Sequence, residues 1–532
     1  MTQTKTGAEV DRRAMVLGSF ALGAVATLAT YMQSLQAAAQ SPEAAAPPPT
    51  PPAAQAGVAF PPDFVRKQAE SLAAAEYVKP AVELPEPFDK LSYDQYRDIR
   101  FRTDRAIWRP DNLDFELQLL PMGWLYSAPT EIWLVDGGEA QKLKADKEMF
   151  SLGPLVEKGP QEAPFGFSGF RIHGPLNRAD VNDEYVVFQG ASYFRAIGRS
   201  QNYGLSARGL ALNTAQPTGE EFPIFRAFYV EKPKAGAPEI IVHALLDSPS
   251  VAGAYRFTIQ PGDATVMDID ATLFPRRPLT HVGLAPLTSM YLHGSASHRI
   301  NTDFRPSVYD SEGLAVLNGK GERLWRPLAN PKKLQISAFM DRNPKGFGLA
   351  MRDRSFAAFE DLEARYERRP TAWVEPKGGW GDGYVELIEI PTEEEIHDNI
   401  VVYWKPAKAL DPGTAHRFVY RLLWTEHVPA SWSGAWVRKT FVGGMKKADT
   451  QLFVIDFEGP AVRDLKDLPV AQLGVSAGSV ANLAVQRHQD IQGVRVAFEL
   501  NTAGTDVAEL RLGLKVGEQL ISETWLFRWT QA

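Results

Sequence analysis

No cysteine occurs among the 532 residues of this chain, which removes disulfides, thiolate nucleophiles and cysteine-bound zinc or iron–sulfur sites in one step. Long helical periodicity is nearly absent as well, and no internal repeat is visible, which weakens a propeller or solenoid reading. No phosphate-binding loop, dinucleotide fingerprint or His-Glu-x-x-His helix occurs, and the nine histidines show no metal-ligand spacing. Neither a cofactor nor a metal is expected. Lys and Arg number 57 against 64 Asp and Glu, a net charge of −7 without a basic stripe, which argues against nucleic acid as a partner. These absences leave carboxylates as the main catalytic resource.

The chain is too long for one ordinary core, so two domains are expected. Arg12 and Arg13 precede an apolar stretch that reaches about Ala29, and small residues follow to Ala39. That is the three-part pattern of an export signal over residues 1–39, and the paired arginines match the twin-arginine type. Residues 40–59 read as a Pro/Ala-rich linker with nothing to bury. A short helix is predicted in "FVRKQAESLAAAEY". Beyond Leu91, short runs such as "LDFELQLL", "EIWLVD", "EIIVHALL" and "ATVMDIDATL" alternate with turn residues. The fold class is therefore all-β: a large sandwich over 60–428, then a small immunoglobulin-like sandwich over 429–532. "FEDLEARYE" is the best internal helix candidate.

Two features point toward chemistry. "EIPTEEEIHDNIVVYW", residues 389–404, places Glu393, Glu394, Glu395 and Asp398 at the mouth of a buried strand. This is either a solvated loop or an acid cluster in which neighbouring carboxylates raise one another's proton affinity, with Glu395 and Asp398 three residues apart as a pair if the segment turns. Around it gather Tyr309, Asp310, Trp325, Trp373, Trp380 and Tyr384. Any one of these tryptophans is ordinary core; as a set, aromatic faces beside Arg, Asp and Asn read as a carbohydrate cleft. The string "GVSAG", residues 474–478, matches a nucleophile elbow but lacks the strand-turn-helix flanks, and reads as chance.

The stretches "GASYFRAIGRSQNYGLSARGLALN", "HALLDSPSVAGAYRF", "GLAPLTSMYL", "NPKGFGL" and "EIPTEEEIHDNIVVYW" strongly resemble the periplasmic glucan biosynthesis protein G/D family (OpgG/OpgD, MdoG/MdoD). The likeness runs from about residue 60 to 425 and is looser beyond 430. It implies a galactose-mutarotase-like β-sandwich joined to an immunoglobulin-like domain, and a periplasmic protein acting on β-1,2-linked glucan. Arg12 and Arg13 tilt the chain toward the D-type paralogue. The family is similar to anomer-inverting β-1,2-glucanases, and in some relatives the scaffold transfers glycosyl groups. By motif position the resemblance implies Asp398 as general acid, Asp310 as partner carboxylate and Glu395 close to the acid. Tyr309, Arg305, Trp325, Trp380, Tyr203 and Arg208 are the substrate-binding candidates. The partners implied are the glucan chain and the glucan synthesis machinery of the periplasm or inner membrane. A non-catalytic glucan-binding assembly factor is the alternative. A mutarotase-like epimerase would need a His/Glu pair, for which His173, His243 and His281 offer no clear partner in sequence.

Overall fold

Alternation builds this molecule strand by strand. In Thr265–Pro275, Met267, Ile269, Ala271 and Leu273 are buried, while Asp268 and Asp270 face outward. Those two carboxylates take forked ion pairs from Arg421 and Arg417 on the neighbouring strand His416–Thr425. The computed structural model describes residues 57–531 except 81–83, 85, 87, 157–165, 298–302, 430–431 and 448. The export signal and most of the linker lie outside the described residues. Strands make up 49% and helices 8% of the described residues. The all-β expectation holds.

Two large sheets form the main sandwich. One has ten strands and runs from Gln335–Arg342 through Asp382–Glu389, Ile400–Pro406, Val282–Ser289, Ser206–Arg208 and Tyr193–Ala196 to Glu116–Pro121. The other has sixteen, with Ile240–Asp247, Val251–Gln260, Thr265–Pro275 and His416–Thr425 at its centre. Aromatic contacts lock the two faces: Phe188 and Phe194 of the first meet Phe257 of the second edge-on, with ring centroids 5.2 and 5.3 Å apart. The helix Phe64–Ala74 buries Val65 and Ala69, and a separate apolar cluster joins them to Tyr229 and Ala252. Val58–Ala59, read from sequence as the end of the linker, instead form an edge strand on Glu139–Lys142.

From residue 436 onward a four-stranded sheet faces strands Val470–Val475, Val507–Val516 and Thr524–Thr530. Phe453 on one side meets Phe527 on the other at 5.3 Å. The three facing strands also continue the large sheet, because Leu324 and Trp325 pair in parallel with Thr524 and Trp525. The C-terminal core accordingly takes in Ala296, Ala315, Trp325, Ala350 and Trp373 from the first unit. The strands that end and begin around "GVSAG" have no helix between them.

"FEDLEARYE" forms no α-helix. The Asp361 carboxylate accepts the backbone N–H groups of Glu363 and Ala364, and Arg365 adopts φ 45°, which breaks any helical run. The chain instead passes through turns into the short 3₁₀ turn Tyr366–Arg368, and so delivers Tyr366 and Arg369 to the site.

Candidate active site

Asp398 sits one residue before Asn399, and Asn399 fixes the mouth of the strand Ile400–Pro406. Its side chain accepts from Tyr291 N at 2.8 Å and donates to the carbonyls of Tyr291 and Ile390 at 2.9 and 3.1 Å. Met290, next to Tyr291, accepts the backbone N–H of Asp310 at 2.9 Å. One short stretch, 290–291, thus anchors both segments that carry the candidate carboxylates. Sequence separation of nearly ninety positions is closed by these main-chain and amide contacts.

Asp398 is 7% exposed, and its Oδ2 makes no hydrogen bond within the described residues. Burial pushes its carboxyl up to about 6, against the opposing pull of the Arg195, Arg208 and Arg369 guanidiniums. Asp310 is 1% exposed and ion-paired with Arg369 through Nη1. Arg369 is itself buried, lies 4.2 Å over the Tyr366 ring, and is pushed down to about 9 by desolvation. Arg354 holds it in place, donating from Nη1 to the carbonyls of Glu367 and Arg369 at 3.0 and 2.9 Å. Gly204 is required here: a Cβ at that position would lie 2.8 Å from Arg369 Cδ.

The acid run has divided. Residues 395–396 do form a turn, but the groups that perturb Asp398 are burial and three arginines, with Glu395 not among them. Glu395 instead accepts from Tyr366 Oη at 3.0 Å and pairs with Arg305 Nη1 at 2.8 Å, its side chain 38% exposed. The pairing of Glu395 with Asp398 read from sequence is therefore corrected: a guanidinium and a phenol occupy Glu395, and desolvation does the work assigned to it. Glu393 and Glu394 are exposed on the same loop.

Arg305, expected to bind substrate, also grips Asp303 and Asp361 at 2.8 and 2.9 Å. Three carboxylates use it as the tie between loops. A cavity of about 550 Å³ is lined by Arg199, Gln201, Arg354, Glu367, Arg368 and Glu426 among others. Glu367 and Arg368 lead directly into Arg369.

With this geometry in view, known proteins supply a frame. The family described as "Periplasmic glucan biosynthesis protein, MdoG" matches residues 60–529. The chain belongs to that family. "Glucans biosynthesis protein G" of Shewanella frigidimarina is 50% identical over 474 residues, covering 88% of this chain and 85% of the relative. The protein of the same name from Vibrio cholerae is 49% identical over 474 residues, covering 88% and 87%. Both relatives carry the G name.

Within this member of the glucan biosynthesis family, the remaining candidates separate. Tyr309 is buried, stacked on Tyr291 at 5.4 Å and edge-on to Phe359 at 5.0 Å, one residue from Asp310. Tyr203 is buried, and desolvation with the nearby Glu184 carboxylate pushes its hydroxyl well above its usual range. Arg208 donates to Thr288 Oγ1 and Glu220 Oε1 at 2.8 and 2.7 Å. Trp325 and Trp380 need correction. Trp325 is 2% exposed in the C-terminal core, its face covered by the Arg352 guanidinium 3.5 Å from the ring centroid. Trp380 packs edge-on against Phe418 and Tyr420 at 6.0 and 5.9 Å inside the main core. Neither ring has a free face for a sugar. His243 and His281 do have carboxylate partners, Glu231 at 2.7 Å and Glu386 at 3.2 Å, which sequence could not reveal. Sequence reasoning missed Arg195, Arg354, Tyr366 and Arg369; the only local signal was "RRP" at 368–370, an arginine pair stopped by proline.

Proposed function

We propose that this chain is a periplasmic enzyme that cleaves or transfers β-1,2-linked glucan with inversion at the anomeric carbon. The observation that carries the reading is Asp398, a buried carboxyl whose Oδ2 has no hydrogen-bond partner among the described residues and which burial pushes up to about 6. A general acid must be protonated at working pH, and desolvation is the direct way to arrange it. Asp398 gives its proton to the glycosidic oxygen as the C–O bond breaks. Water attacks the anomeric carbon from the opposite face, and its proton passes to Asp310. Inverting enzymes separate the two carboxyls by roughly 6.5–9.5 Å to admit that water. If a sugar hydroxyl takes the place of water, the same two groups carry out transfer. Tyr309, Tyr203 and Arg208 line the approach in this reading. Export by the twin-arginine route, and with it the D-type character, rests on Arg12 and Arg13 alone.

Incubation of the purified protein with linear β-1,2-glucan tests the reading. Shortened chains mean hydrolysis, and a product lighter by one water means cyclisation. Both should vanish in Asp398→Asn. Retained binding with no product from the native chain would favour the assembly-factor reading and overturn this one.

A further inference from the structure

The carboxylate Glu220 lies outside the catalytic set, yet the fold goes to some length to hold it. It lies near the end of the loop 213–221, where the Glu221 N–H returns to Leu212 O at 3.0 Å and Gly219 supplies φ +90°. Its Oε1 accepts from Thr214 Oγ1 at 2.8 Å and from Arg208 Nη1 at 2.7 Å. Both side chains of this ion pair are almost fully buried, at 4% and 3% exposure. Arg208 is clamped on every side: Nε donates to Thr288 Oγ1, and the guanidinium lies 4.8 Å over Tyr193 and 5.7 Å from the Phe222 ring centroid.

The sheet sets Arg208 and Asp398 on two sides of one strand. Ser206–Arg208 pairs with Val282–Ser289, where Ser206 faces Thr288; that same strand pairs with Ile400–Pro406, where Thr288 faces Val401. The charged groups that act on Asp398 are Arg195 from Tyr193–Ala196, Arg208 from Ser206–Arg208, and Arg369. Arg369 is engaged by Asp310 and Arg208 by Glu220. On the far side, Tyr403 senses Glu220 and itself donates to Glu386, which also pairs with His281.

We propose that Glu220 is a positioning residue for Asp398: by fixing and offsetting the Arg208 guanidinium, it lets Asp398 keep a proton to donate. The inference rests on the reading of Asp398 as the acid. Without Glu220, Arg208 is a buried cation with its charge uncompensated, and a nearby cation favours an ionised carboxylate. The sign is therefore fixed. Loss of the Glu220 charge lowers the proton affinity of Asp398.

The test is Glu220→Gln, nearly isosteric, beside Glu220→Asp, which keeps the charge. Carbon-13 carboxyl NMR of aspartate-labelled protein follows Asp398 directly, its resonance assigned by disappearance in Asp398→Asn. In Glu220→Gln the Asp398 midpoint should fall by about one pH unit, and turnover of linear β-1,2-glucan at pH 7 should fall ~10-fold. Glu220→Asp should restore most of both. A merely structural role would lower the melting temperature and leave the midpoint in place, and an unmoved midpoint overturns the proposal. If the native protein does not turn over glucan while the midpoint still shifts, the coupling stands and the enzymatic reading falls instead.

Discussion

Arg369 is ion-paired with Asp310 through Nη1 while its charge also acts on Asp398, so one buried guanidinium serves both candidate carboxylates. It binds one tightly and biases the other. Removing it leaves Asp310, 1% exposed, as a buried carboxylate without its counter-ion. Breaking a buried pair from one side costs roughly 3–5 kcal/mol. Arg369→Met should therefore lower stability by about that amount in denaturant unfolding and abolish turnover. Arg369→Lys should recover part of the stability and little of the activity, because an ammonium does not reproduce the guanidinium fork.

The raised Asp398 carboxyl also predicts the pH dependence of stability. Its folded value of about 6 lies above the ordinary aspartate value of 3.8. The stabilising contribution is fully present below the unfolded value and is lost as pH rises through about 6. At pH 8 a buried, ionised Asp398 is a burden of up to roughly 3 kcal/mol, by the conversion of about 1.4 kcal/mol per pH unit. Asp398→Asn should melt above the native protein at pH 8, and the difference should close toward pH 4. A variant no more stable at pH 8 than at pH 4, relative to native, would contradict the burial argument. Activity should show the same group: turnover falls as pH rises through about 6.

How far the sequence revealed this site depended on range. Strand positions were legible because burial alternates with a period of two, as in Thr265–Pro275. Asp398 and Asp310 stood out through motif resemblance. Arg195 and Arg369 did not, and Arg208 stood out only as a substrate-binding candidate, because the three come from separate segments: sheet order sets Arg195 beside Arg208, and Arg369 enters from the turn before Thr371–Lys377. The turn 359–367 failed for a local reason: helical spacing was present, but the Asp361 side chain competed for the backbone N–H groups. The tryptophans failed for a global one. Composition places aromatics near a site but cannot tell a cleft wall from a seam between two cores.

That distinction is measurable. Trp325→Ala and Trp380→Ala each empty a buried indole site and should cost roughly 3–5 kcal/mol of stability. Trp325→Phe and Trp380→Phe should keep the fold and leave glucan affinity within about twofold of native, read by calorimetry at equal loading. A tenfold loss of affinity in either Phe variant would return that ring to the substrate cleft.

The seam itself bears on whether the two units are separable. Strand Arg323–Pro327 gains a parallel partner in Thr524–Thr530, and Trp325 and Trp373 complete their burial in the C-terminal core. Arg352 crosses the same seam, donating to the Val437 carbonyl and pairing with Glu523 at 2.8 Å, while Lys439 reaches Asp353 at 2.7 Å. The segment so held, 352–353, continues into Arg354, which donates to the carbonyl of Arg369. A chain ending at residue 429 would expose an unpaired strand edge and two tryptophans, the features that drive association between copies. It should elute as aggregate in size-exclusion chromatography, or melt at least about 10 °C below the full chain. Recovery of a monomeric, glucan-active fragment would instead show that the Asp398–Arg369–Asp310 arrangement stands without its C-terminal brace.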